Sequence, residues 1–426
     1  MISELIVLLS DQEIGRVRQD RRGRLKFVYD ETWRGARGAY PLSLSMPLAA
    51  SEHPHDVIDA FIWGLLPDNE QVLERWAKKF QVSARSAFAL IAQVGEDCAG
   101  AVQFVRPERS DALMNAGPGD IDWLDEANVA ARLKVLREDH SAWRRPDDTG
   151  QFSLAGAQPK TALLLQDGKW GVPSGRIPTT HILKPPTGAF DGHAENEHFC
   201  LALAQTLGLP VASSTVMHFE DEVAFVTERY DRLVTDRGIL RVHQEDMCQA
   251  LGVPPTRKYE NEGGPGVSTV VNFLQENSGA ARDDVETFID AVAFNWIIGG
   301  TDAHAKNYSI LIGSGGRARL APLYDMASIL PYDDYDMMKV KLAMKLGGKY
   351  RIRDISARSW DRLSDELRLN KEDVMERVCE MTSRLPEQAE AIGQQVREAG
   401  MTHPIIERLT ARASDRAQKC ERLFDL

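Results

Sequence analysis

The chain has 426 residues, more than one hydrophobic core usually supports, so we expect two or three cooperating units. Its 63 acidic and 51 basic residues give a net charge of -12, which excludes a protein that coats nucleic acid with its whole surface. The five cysteines form no C-x-x-C pair, and no uncharged apolar run approaches the ~20 residues that span a bilayer, so we expect a soluble cytoplasmic protein without disulfides, zinc cluster or membrane contact.

The N-terminal part predicts β-structure followed by helices. Short β-prone runs at 4–9, 13–18 and 24–29 are separated by turn residues and predict an antiparallel meander. Apolar spacing becomes helical from Asp56 to Lys79, and a further helix is expected near Ser83, whose hydroxyl would cap it. Residues 106–120 lose all periodicity and collect Pro, Gly, Ser and Asn, which indicates a domain boundary.

The remaining chain changes from mixed to helical composition. Strands are predicted at 160–165, 180–184, 214–219 and 223–227, with one helix at 194–208. After residue 246, helices are predicted near 267–278, 283–298, 371–384 and 386–399, and from about 403. We therefore predict an α+β protein with three parts, which are a β-rich N-terminal subdomain (1–105), a small lobe (106–246) and an all-α C-terminal lobe (247–426).

The segment from Gly299 to Asn307 carries the clearest chemical signal. Asp302 and Asn307 are five residues apart in a loop after an apolar helix, which is the spacing of a kinase catalytic loop. In that chemistry an aspartate accepts or orients the proton of the attacking hydroxyl, and an asparagine oxygen reaches a magnesium ion on the nucleotide phosphates. The alternative is that Asp302 and Asn307 only cap a Gly-rich turn.

A second acidic position favours the catalytic interpretation. The β-prone run from Leu320 to Tyr324 ends at Asp325, where a kinase places its second magnesium ligand. Magnesium prefers oxygen donors of this kind. Asp302, Asn307 and Asp325 in this order therefore predict phosphoryl transfer from ATP with Mg²⁺.

A lysine at the end of a predicted strand is the candidate cation for the phosphates. Lys184 follows the run Thr180 to Leu183, and a sheet of the small lobe would direct it into the cleft. Glu195 or Glu197, on the helix that follows, would fix its position by an ion pair. Acidic residues are favoured in any first helical turn, and for the two glutamates we favour that simpler explanation.

The segment that would cover the phosphates is unorthodox, because the small lobe has no G-x-G-x-x-G motif and the chain has no Walker motif. Only the segment from Ser153 to Thr161 would serve. Its small residues at 155–157 would let backbone N–H groups approach an anion, and Lys160 would add positive charge. The segment is equally consistent with a tight turn before a strand.

Two further segments are candidates for the nucleoside part of ATP. Backbone groups of Glu228 and Tyr230, at the end of a predicted strand, would hydrogen-bond an adenine edge. A salt-bridged strand end is almost equally consistent with these residues. Residues 244–246 would line the ribose, and as a bare triplet they are equally well the N-terminal cap of a helix.

Together these motifs resemble the HipA-like serine/threonine kinases, the toxins of bacterial HipBA toxin–antitoxin modules. The resemblance spans most of the chain, and the QEDMCQALG and TDAHAKN blocks are its most specific parts. The matching segments are FSLAGAQPKTALL at 152–164, HILKPP at 181–186, TERYDR at 227–232, HQEDMCQALGVPPTRKYENEGGPG at 243–266, GGTDAHAKNYSIL at 299–311 and LAPLYDMAS at 320–328. Residues 1–105 resemble the family's additional N-terminal subdomain.

The resemblance implies a two-lobed protein-kinase-like fold with Asp302 as catalytic base and Asn307 and Asp325 on Mg²⁺. It also implies that Ser153 is autophosphorylated and that its loop then switches the enzyme off, as a dianionic phosphoserine would require new donors. The residues expected around ATP are Ala155, Gly156, Ala157, Gln158, Lys160, Lys184, Glu228, Arg229, Tyr230, Gln244, Glu245, Asp246, His304, Lys306, Asn307, Tyr324 and Asp325.

The same resemblance implies partners and a biological role. Family members inhibit translation by phosphorylating an aminoacyl-tRNA synthetase, which arrests growth and promotes persistence. They are restrained by HipB, a helix-turn-helix antitoxin dimer that also binds operator DNA. Two alternatives remain at this point: an operator-bound corepressor with little kinase activity, and a small-molecule phosphotransferase resembling antibiotic kinases. The second leaves the Ser153 segment and the QEDMCQALG block without a role.

Overall fold

The computed structural model describes residues 3–115, 117, 119–144, 152–186, 188, 190–236 and 238–424. The predicted boundary at 106–120 includes Ala116 and Pro118, which lie outside these ranges. Much of the remainder of that segment is a helix, Pro107–Asn115. Within the described ranges, no helix combines the length and the apolar character needed to cross a membrane.

The strands and helices follow one another along the chain in a mixed order. The strands are β1 Glu4–Leu9, β2 Gln12–Gln19, β3 Leu25–Tyr29, β4 Glu52–His53, β5 Val102–Val105, β6 Ile121–Leu124, β7 Thr161–Gln166, β8 Lys169–Pro173, β9 His181–Lys184, β10 Ser214–Phe219, β11 Glu222–Glu228, β12 Arg232–Thr235, β13 Gly238–Arg241, β14 His243–Asp246, β15 Ser309–Gly313, β16 Arg317–Leu320, β17 Lys341–Leu346 and β18 Lys349–Arg351. The helices are α1 Glu31–Arg34, α2 His55–Leu65, α3 Glu70–Phe80, α4 Ala87–Val94, α5 Pro107–Asn115, α6 Glu126–Glu138, α7 His193–Thr206, α8 Met247–Ala250, α9 Val267–Asn277, α10 Ala281–Ile298, α11 Ala357–Leu367, α12 Lys371–Glu398 and α13 Ile405–Glu421.

The chain forms two compact units, each built from several segments. The first unit comprises Met1–Pro185, His218–Thr256 and Ile310–Ala318. The second comprises Pro186–Met217, Arg257–Ser309 and Arg319–Leu426. The division into three parts at residues 105 and 246 remains a prediction.

The first unit opens with an antiparallel sheet in the order β4-β3-β2-β1-β5, which confirms the predicted meander. Alternate side chains of β1 point to opposite faces of the sheet. Leu5, Val7 and Leu9 belong to the core that also contains residues of α2 and α4, whereas Ile6 and Leu8 pack with Val105 of β5 and Leu113 of α5. Both faces of β1 are therefore buried, which explains its continuous apolar sequence.

The helical segment predicted at 56–79 is two helices. Pro67 disfavours helical geometry in Leu66 before it, so α2 ends at Leu65. Asn69 then caps α3 by accepting hydrogen bonds from the backbone of Gln71 and Val72. The next helix begins later than predicted, because Ser86 caps α4 and Ser83 only forms a turn.

A second sheet of the first unit holds β11, β9, β7, β8 and β6 side by side in that order. The strands predicted at 160–165, 180–184 and 223–227 are confirmed as β7, β9 and β11, and the strand predicted at 214–219 as β10. Strand β8 was not predicted, although Asp167 and Gly168, both at positive φ, form the kind of turn that joins hairpin strands. The predicted helix at 194–208 is α7, in the second unit.

The C-terminal part is mainly helical but not all-α. The predicted helices near 267–278 and 283–298 are α9 and α10, and the last is α13. The segments predicted as two helices at 371–384 and 386–399 form one helix, α12, with Pro386 inside it. Strands β15 and β16 and the hairpin β17–β18 were not predicted, because they are short and lack a sustained alternation of apolar residues.

Candidate active site

The predicted catalytic loop begins where α10 ends. Gly299 has φ of 67° and closes the helix in the left-handed region, where a residue with a side chain would be strained. Gly300 follows so close to the helix that a Cβ on it would lie 2.1 Å from Asn295 Oδ1. The two glycines therefore let the chain leave a buried apolar helix sharply and bring Asp302 to the surface.

Asp302 is held by its own loop and by a tyrosine. The His304 amide donates to the Asp302 carbonyl at 2.8 Å, and the Asn307 amide donates to the His304 carbonyl at 2.9 Å. The exposed carboxylate of Asp302 accepts a 2.6 Å hydrogen bond at Oδ1 from the hydroxyl of Tyr259. Tyr259 was not among the expected site residues, although it lies in the 243–266 block that carries part of the resemblance.

The two predicted metal ligands lie side by side. Asn307 Nδ2 is 3.3 Å from Asp325 Oδ2 and 3.5 Å from the Asp325 carbonyl oxygen. Asp325 has φ of 57°, a left-handed conformation that aspartate tolerates better than most residues. The Tyr324 hydroxyl donates to the Lys306 carbonyl at 2.7 Å, which ties the segment before Asp325 to the catalytic loop.

The chemistry of this pair fits a hard divalent cation. The Asp325 carboxylate supplies oxygen, and the Asn307 amide presents its oxygen when the group is turned over. In the part of the chain that the structure describes, no cluster of three or more His, Cys, Asp or Glu side chains is arranged to hold a metal ion. Magnesium binding by Asn307 and Asp325 remains a prediction.

His304 is buried between these acids and Tyr259. Burial lowers the pKa of His304 below its ordinary value, and the negative charges of Asp302 and Asp325 only partly offset that effect. Its ring meets the Tyr259 ring edge-on, with centroids 5.0 Å apart. Its Nδ1 has no hydrogen-bond partner among the described residues. A neutral imidazole at this position packs against the loop and the Tyr259 ring.

Lys184 lies in the first unit, at the end of β9. Pairing of β9 with β11 places it opposite Phe225, and its Nζ lies 5.2 Å from the centroid of that ring. The side chain is buried. Glu195 lies in the first turn of α7 and Glu197 follows it; both are buried, in the second unit. Pairing of either glutamate with Lys184 remains the less favoured alternative.

The segment that begins at Ser153 is docked against the end of α2. The Ser153 hydroxyl is fully buried and donates to the Leu65 carbonyl at 2.8 Å. Gly156 forms a parallel bridge with Pro67, and the Asp68 amide donates to the Gly156 carbonyl at 2.9 Å. In this conformation the segment is a packed part of the first unit.

Lys160 folds back under the same segment. Its Nζ donates to the Ala155 carbonyl at 2.7 Å and lies 5.3 Å from the centroid of the Trp143 ring. The lysine therefore stabilises the observed turn, in agreement with the second interpretation of this segment. Phosphate binding by Lys160 and residues 155–158 remains a prediction.

The predicted adenine segment ends β11. Glu228 is exposed, whereas the Arg229 guanidinium is buried against Asp231, and the Arg229 amide donates to the Thr180 carbonyl. Neither group of Arg229 is available to a nucleotide in this structure. The Tyr230 hydroxyl is hydrogen-bonded to the side chain of Gln244.

The three residues predicted around the ribose have different surroundings. Gln244 donates from Nε2 to Asp231 Oδ2 at 3.1 Å. Glu245 is buried and accepts a hydrogen bond from the Leu44 amide at 2.8 Å. Asp246 caps α8 in a reciprocal capping box with Gln249, which was the alternative interpretation. A nucleotide contact of this triplet remains a prediction.

Two family models match most of the chain. Residues 5–105 match the model of the HipA N-terminal domain, and residues 152–389 match that of the HipA-like C-terminal domain. These matches, together with the kinase-like order of the loop residues, define the class of the protein. The chain belongs to the HipA family.

Individual proteins of known name are similar to the chain over most of its length. It is 29% identical over 400 residues to the serine/threonine-protein kinase toxin HipA of Shewanella oneidensis, covering 89% of this chain and 87% of that protein. It is 39% identical over 361 residues to Y4mE of Sinorhizobium fredii, a protein provisionally named a kinase, with 83% of each chain covered. The solved structure of HipA from Shewanella oneidensis MR-1, in complex with HipB and its operator DNA, matches with a TM-score of 0.84 and 25% identity over 99% of this chain and 98% of that one.

Proposed function

We propose that this chain is a non-specific serine/threonine protein kinase that transfers phosphate from Mg-ATP to protein hydroxyl groups. The observation that carries the proposal is the grouping of Asp302, Asn307 and Asp325 around one loop of the second unit. Membership of the HipA family supports it, since the Shewanella oneidensis relative is named a serine/threonine-protein kinase toxin.

The residues of this loop suit the separate tasks of phosphoryl transfer. Asp302, exposed at the surface, accepts the proton of an acceptor serine or threonine as its oxygen attacks the phosphorus. Asn307 and Asp325 would hold a magnesium ion through side-chain oxygens. Such an ion would supply positive charge to the phosphate oxygens.

Further residues are proposed to bind the nucleotide. Lys184 supplies positive charge to the phosphates, and the backbone of Glu228 and Tyr230 binds the adenine edge. His304, Lys306 and Tyr324 support the catalytic loop beside the nucleotide. The segment 155–158 covers the phosphates while it is docked as described above. These assignments are supported by family membership and by the position of Lys184 at a strand end.

Ser153 is proposed as an autophosphorylation site that switches the enzyme off. Its hydroxyl is buried on the Leu65 carbonyl, so phosphate transfer requires the segment to leave this position first. Once phosphorylated, the serine carries a charge of roughly -1.5 to -2 and cannot return to a buried carbonyl acceptor. Phosphorylation therefore keeps the segment released, and in the released position it cannot cover the phosphates of ATP.

The biological setting follows the family. We propose a cytoplasmic toxin that phosphorylates an aminoacyl-tRNA synthetase, arrests growth and promotes persistence. A HipB-like helix-turn-helix antitoxin dimer restrains it and supplies most contacts to operator DNA, consistent with the net charge of -12. The complex of the Shewanella oneidensis relative with HipB and operator DNA supports this partner. We also propose that residues 1–105 form an N-terminal subdomain, residues 106–246 a small lobe and residues 247–426 a C-terminal lobe.

The proposal is tested by incubating the full chain with Mg²⁺ and γ-labelled ATP. We expect phosphate on Ser153 in the wild type and a reduction of initial labelling on the order of 100-fold or more in Asp302→Asn, because general base catalysis is lost. Mass spectrometry of the labelled chain identifies the acceptor. In Ser153→Ala, labelling at this position must disappear while the catalytic loop stays intact.

Asp334→Asn is the matched control, since it removes an exposed carboxylate from the same unit without touching the loop. It should label at the wild-type rate. Equal labelling in wild type and Asp302→Asn, or no labelling of any protein by the wild type, would contradict the kinase assignment. Comparison of phosphoproteins after brief induction of wild type and Asp302→Asn identifies the cellular substrate.

An operator-bound corepressor with little kinase activity is the second candidate function. The operator complex of the Shewanella oneidensis relative favours it. Such a protein would leave growth unaffected when expressed without antitoxin, and repression would survive Asp325→Ala. Growth arrest that requires Asp325 separates the kinase from this alternative.

A further inference from the structure

Tyr259 contacts the proposed catalytic base directly. It lies between two single 3₁₀ turns, Pro255–Arg257 and Glu260–Glu262. Its hydroxyl donates to Asp302 Oδ1 at 2.6 Å, the separation of a strong hydrogen bond to a charged acceptor. Tyr259 is 43 residues before Asp302, so this contact exists only because the chain folds back on itself.

The backbone around Tyr259 is closely constrained. The Tyr259 carbonyl accepts from the amides of Glu262 and Gly264, each at 3.0 Å. Gly264 approaches so closely that a Cβ on it would lie 1.9 Å from the Arg257 carbonyl oxygen. The Ala305 amide donates to the Lys258 carbonyl at 3.3 Å. The segment that carries Tyr259 is thus hydrogen-bonded to the catalytic loop itself.

Side chains fix the same segment from two further directions. The Tyr259 ring packs edge-on against His304, and Lys258 Nζ lies 5.6 Å from the Tyr259 ring centroid. Glu260, the next residue, accepts a hydrogen bond from the Lys345 amide of β17 at 2.5 Å and forms an ion pair with the Lys345 ammonium. Tyr259 is therefore a prepositioned donor and not the tip of an unsupported loop.

A donor of this kind restricts the orientations of an exposed aspartate. Without a partner, an exposed carboxylate rotates among several orientations, and few of them meet an acceptor hydroxyl in line with the phosphate. Tyr259 engages one of the two oxygens of Asp302. We propose that Tyr259 is a positioning residue that orients the Asp302 carboxylate, so that its second oxygen receives the proton of the acceptor serine or threonine.

The main alternative is that Tyr259 inhibits the reaction. If the Tyr259 hydroxyl occupied the place of the acceptor hydroxyl, its removal would accelerate the reaction. The hydrogen bond from the Ala305 amide to the Lys258 carbonyl favours the positioning role of Tyr259. This bond attaches the segment of the tyrosine to the same loop as Asp302. A competitor for the acceptor would have to withdraw at every turnover.

The test uses Tyr259→Phe in the full chain, which removes the hydroxyl and keeps the ring against His304. The inference rests on the proposed kinase function, so wild type and Asp302→Asn are measured in parallel. The maximal rate constant of protein labelling from γ-labelled ATP and the half-saturating ATP concentration are determined for each. We expect the maximal rate constant of Tyr259→Phe to fall about 10-fold or more, with an unchanged half-saturating ATP concentration.

Tyr332→Phe is the matched control, since the Tyr332 hydroxyl, in the same unit, contacts Asn196 and not Asp302. It should label at the wild-type rate. A Tyr259→Phe rate constant equal to or above that of the wild type would overturn the inference. So would a fall accompanied by weaker ATP binding or a lower melting temperature, because either change indicates a structural role. If instead wild type fails to label, or labels no faster than Asp302→Asn, the kinase assignment itself fails.

Discussion

The carboxyl group of Glu245 is buried beside Ser43 and Leu44, far from the solvent that normally stabilises its charge. Burial raises the pKa of Glu245 to about 8, and the hydrogen bond from the Leu44 amide offsets this only partly. Its second oxygen has no hydrogen-bond partner among the described residues. Glu245 therefore remains protonated in the folded protein near neutral pH.

This pKa predicts how stability depends on pH. In the unfolded chain Glu245 ionises near its ordinary value of 4.5, whereas in the folded chain it stays neutral up to about pH 8. Its favourable contribution is complete below the unfolded pKa and is lost as pH rises through this window, by about 1.4 kcal/mol per pH unit. We expect the free energy of unfolding to fall less for Glu245→Gln than for wild type as pH rises from 4.5 to about 8. Urea unfolding at a series of pH values measures this difference.

Glu138→Gln provides the control, because Glu138 is an exposed glutamate of the same unit. Its pH dependence should match that of the wild type. Identical curves for wild type and Glu245→Gln would show that Glu245 is already ionised in the folded chain.

Among the longer elements, α12 is the one that most clearly departs from local sequence rules. Its buried residues on both sides of Pro386 fall on one stripe with helical spacing, at Val374, Val378, Leu385 and Ala389 among others. The stripe stays in phase across the proline. Packing of this stripe against α7, α10, α11 and α13 therefore offsets the backbone hydrogen bond that Pro386 cannot make.

Pro386→Ala should stabilise the protein. It restores the missing N–H donor and removes the clash of the ring with the preceding turn, while the unfolded chain gains some entropy. We expect a net increase on the order of 2 kcal/mol in the free energy of unfolding, measured by urea unfolding monitored by helical circular dichroism. Pro404→Ala is the control, because Pro404 caps α13 where no intrahelical donor is required. A loss of stability in Pro386→Ala would show that the helix needs its proline.

At the scale of the whole molecule, a buried charge network joins the two family domains within the first unit. Asp97, from the segment matched by the N-terminal family model, contacts Arg229, Arg232 and Arg241, from the segment matched by the C-terminal model. Asp231 completes the network by pairing with Arg229 and Arg232. Every member is almost fully buried, so removal of one charge leaves others without compensation.

Asp97→Asn should destabilise the chain strongly, by about 3–5 kcal/mol, because three buried guanidinium groups lose a counter-charge. Burial alone would raise the pKa of Asp97, but Arg232, Arg229 and Arg241 outweigh it and lower the pKa to about 2. The carboxylate therefore contributes stability that is complete above its unfolded value of 3.8 and is lost as pH falls towards 2. Urea unfolding followed by tryptophan fluorescence measures both effects.

Asp11→Asn is the matched control, since Asp11 pairs with Arg176 at 2.7 Å in an exposed salt bridge of the same unit. Its effect should not exceed about 1 kcal/mol. If Asp97→Asn were as mild as Asp11→Asn, the network would not stabilise the junction.

Local sequence determined the elements whose signals are short in range. The meander, β7, β9, β10, β11, α7 and most C-terminal helices follow from apolar periodicity and turn residues. The spacing of Asp302 and Asn307 in one loop predicts that they lie together. Asp325 was predicted at the end of a strand-like run at 320–324, although β16 ends at Leu320. Each of these signals depends on neighbours within a few turns of the chain.

Tertiary structure alone decided the features that join distant segments. Tyr259 reaches Asp302 across 43 residues, Ser153 is buried on Leu65, and Asp97 meets three arginines from beyond residue 228. Tertiary packing also carried α12 through Pro386 against its local preference. The physical reason is common to all four: burial and long-range contacts set the free energy of these groups, and neither is encoded in the spacing of nearby residues.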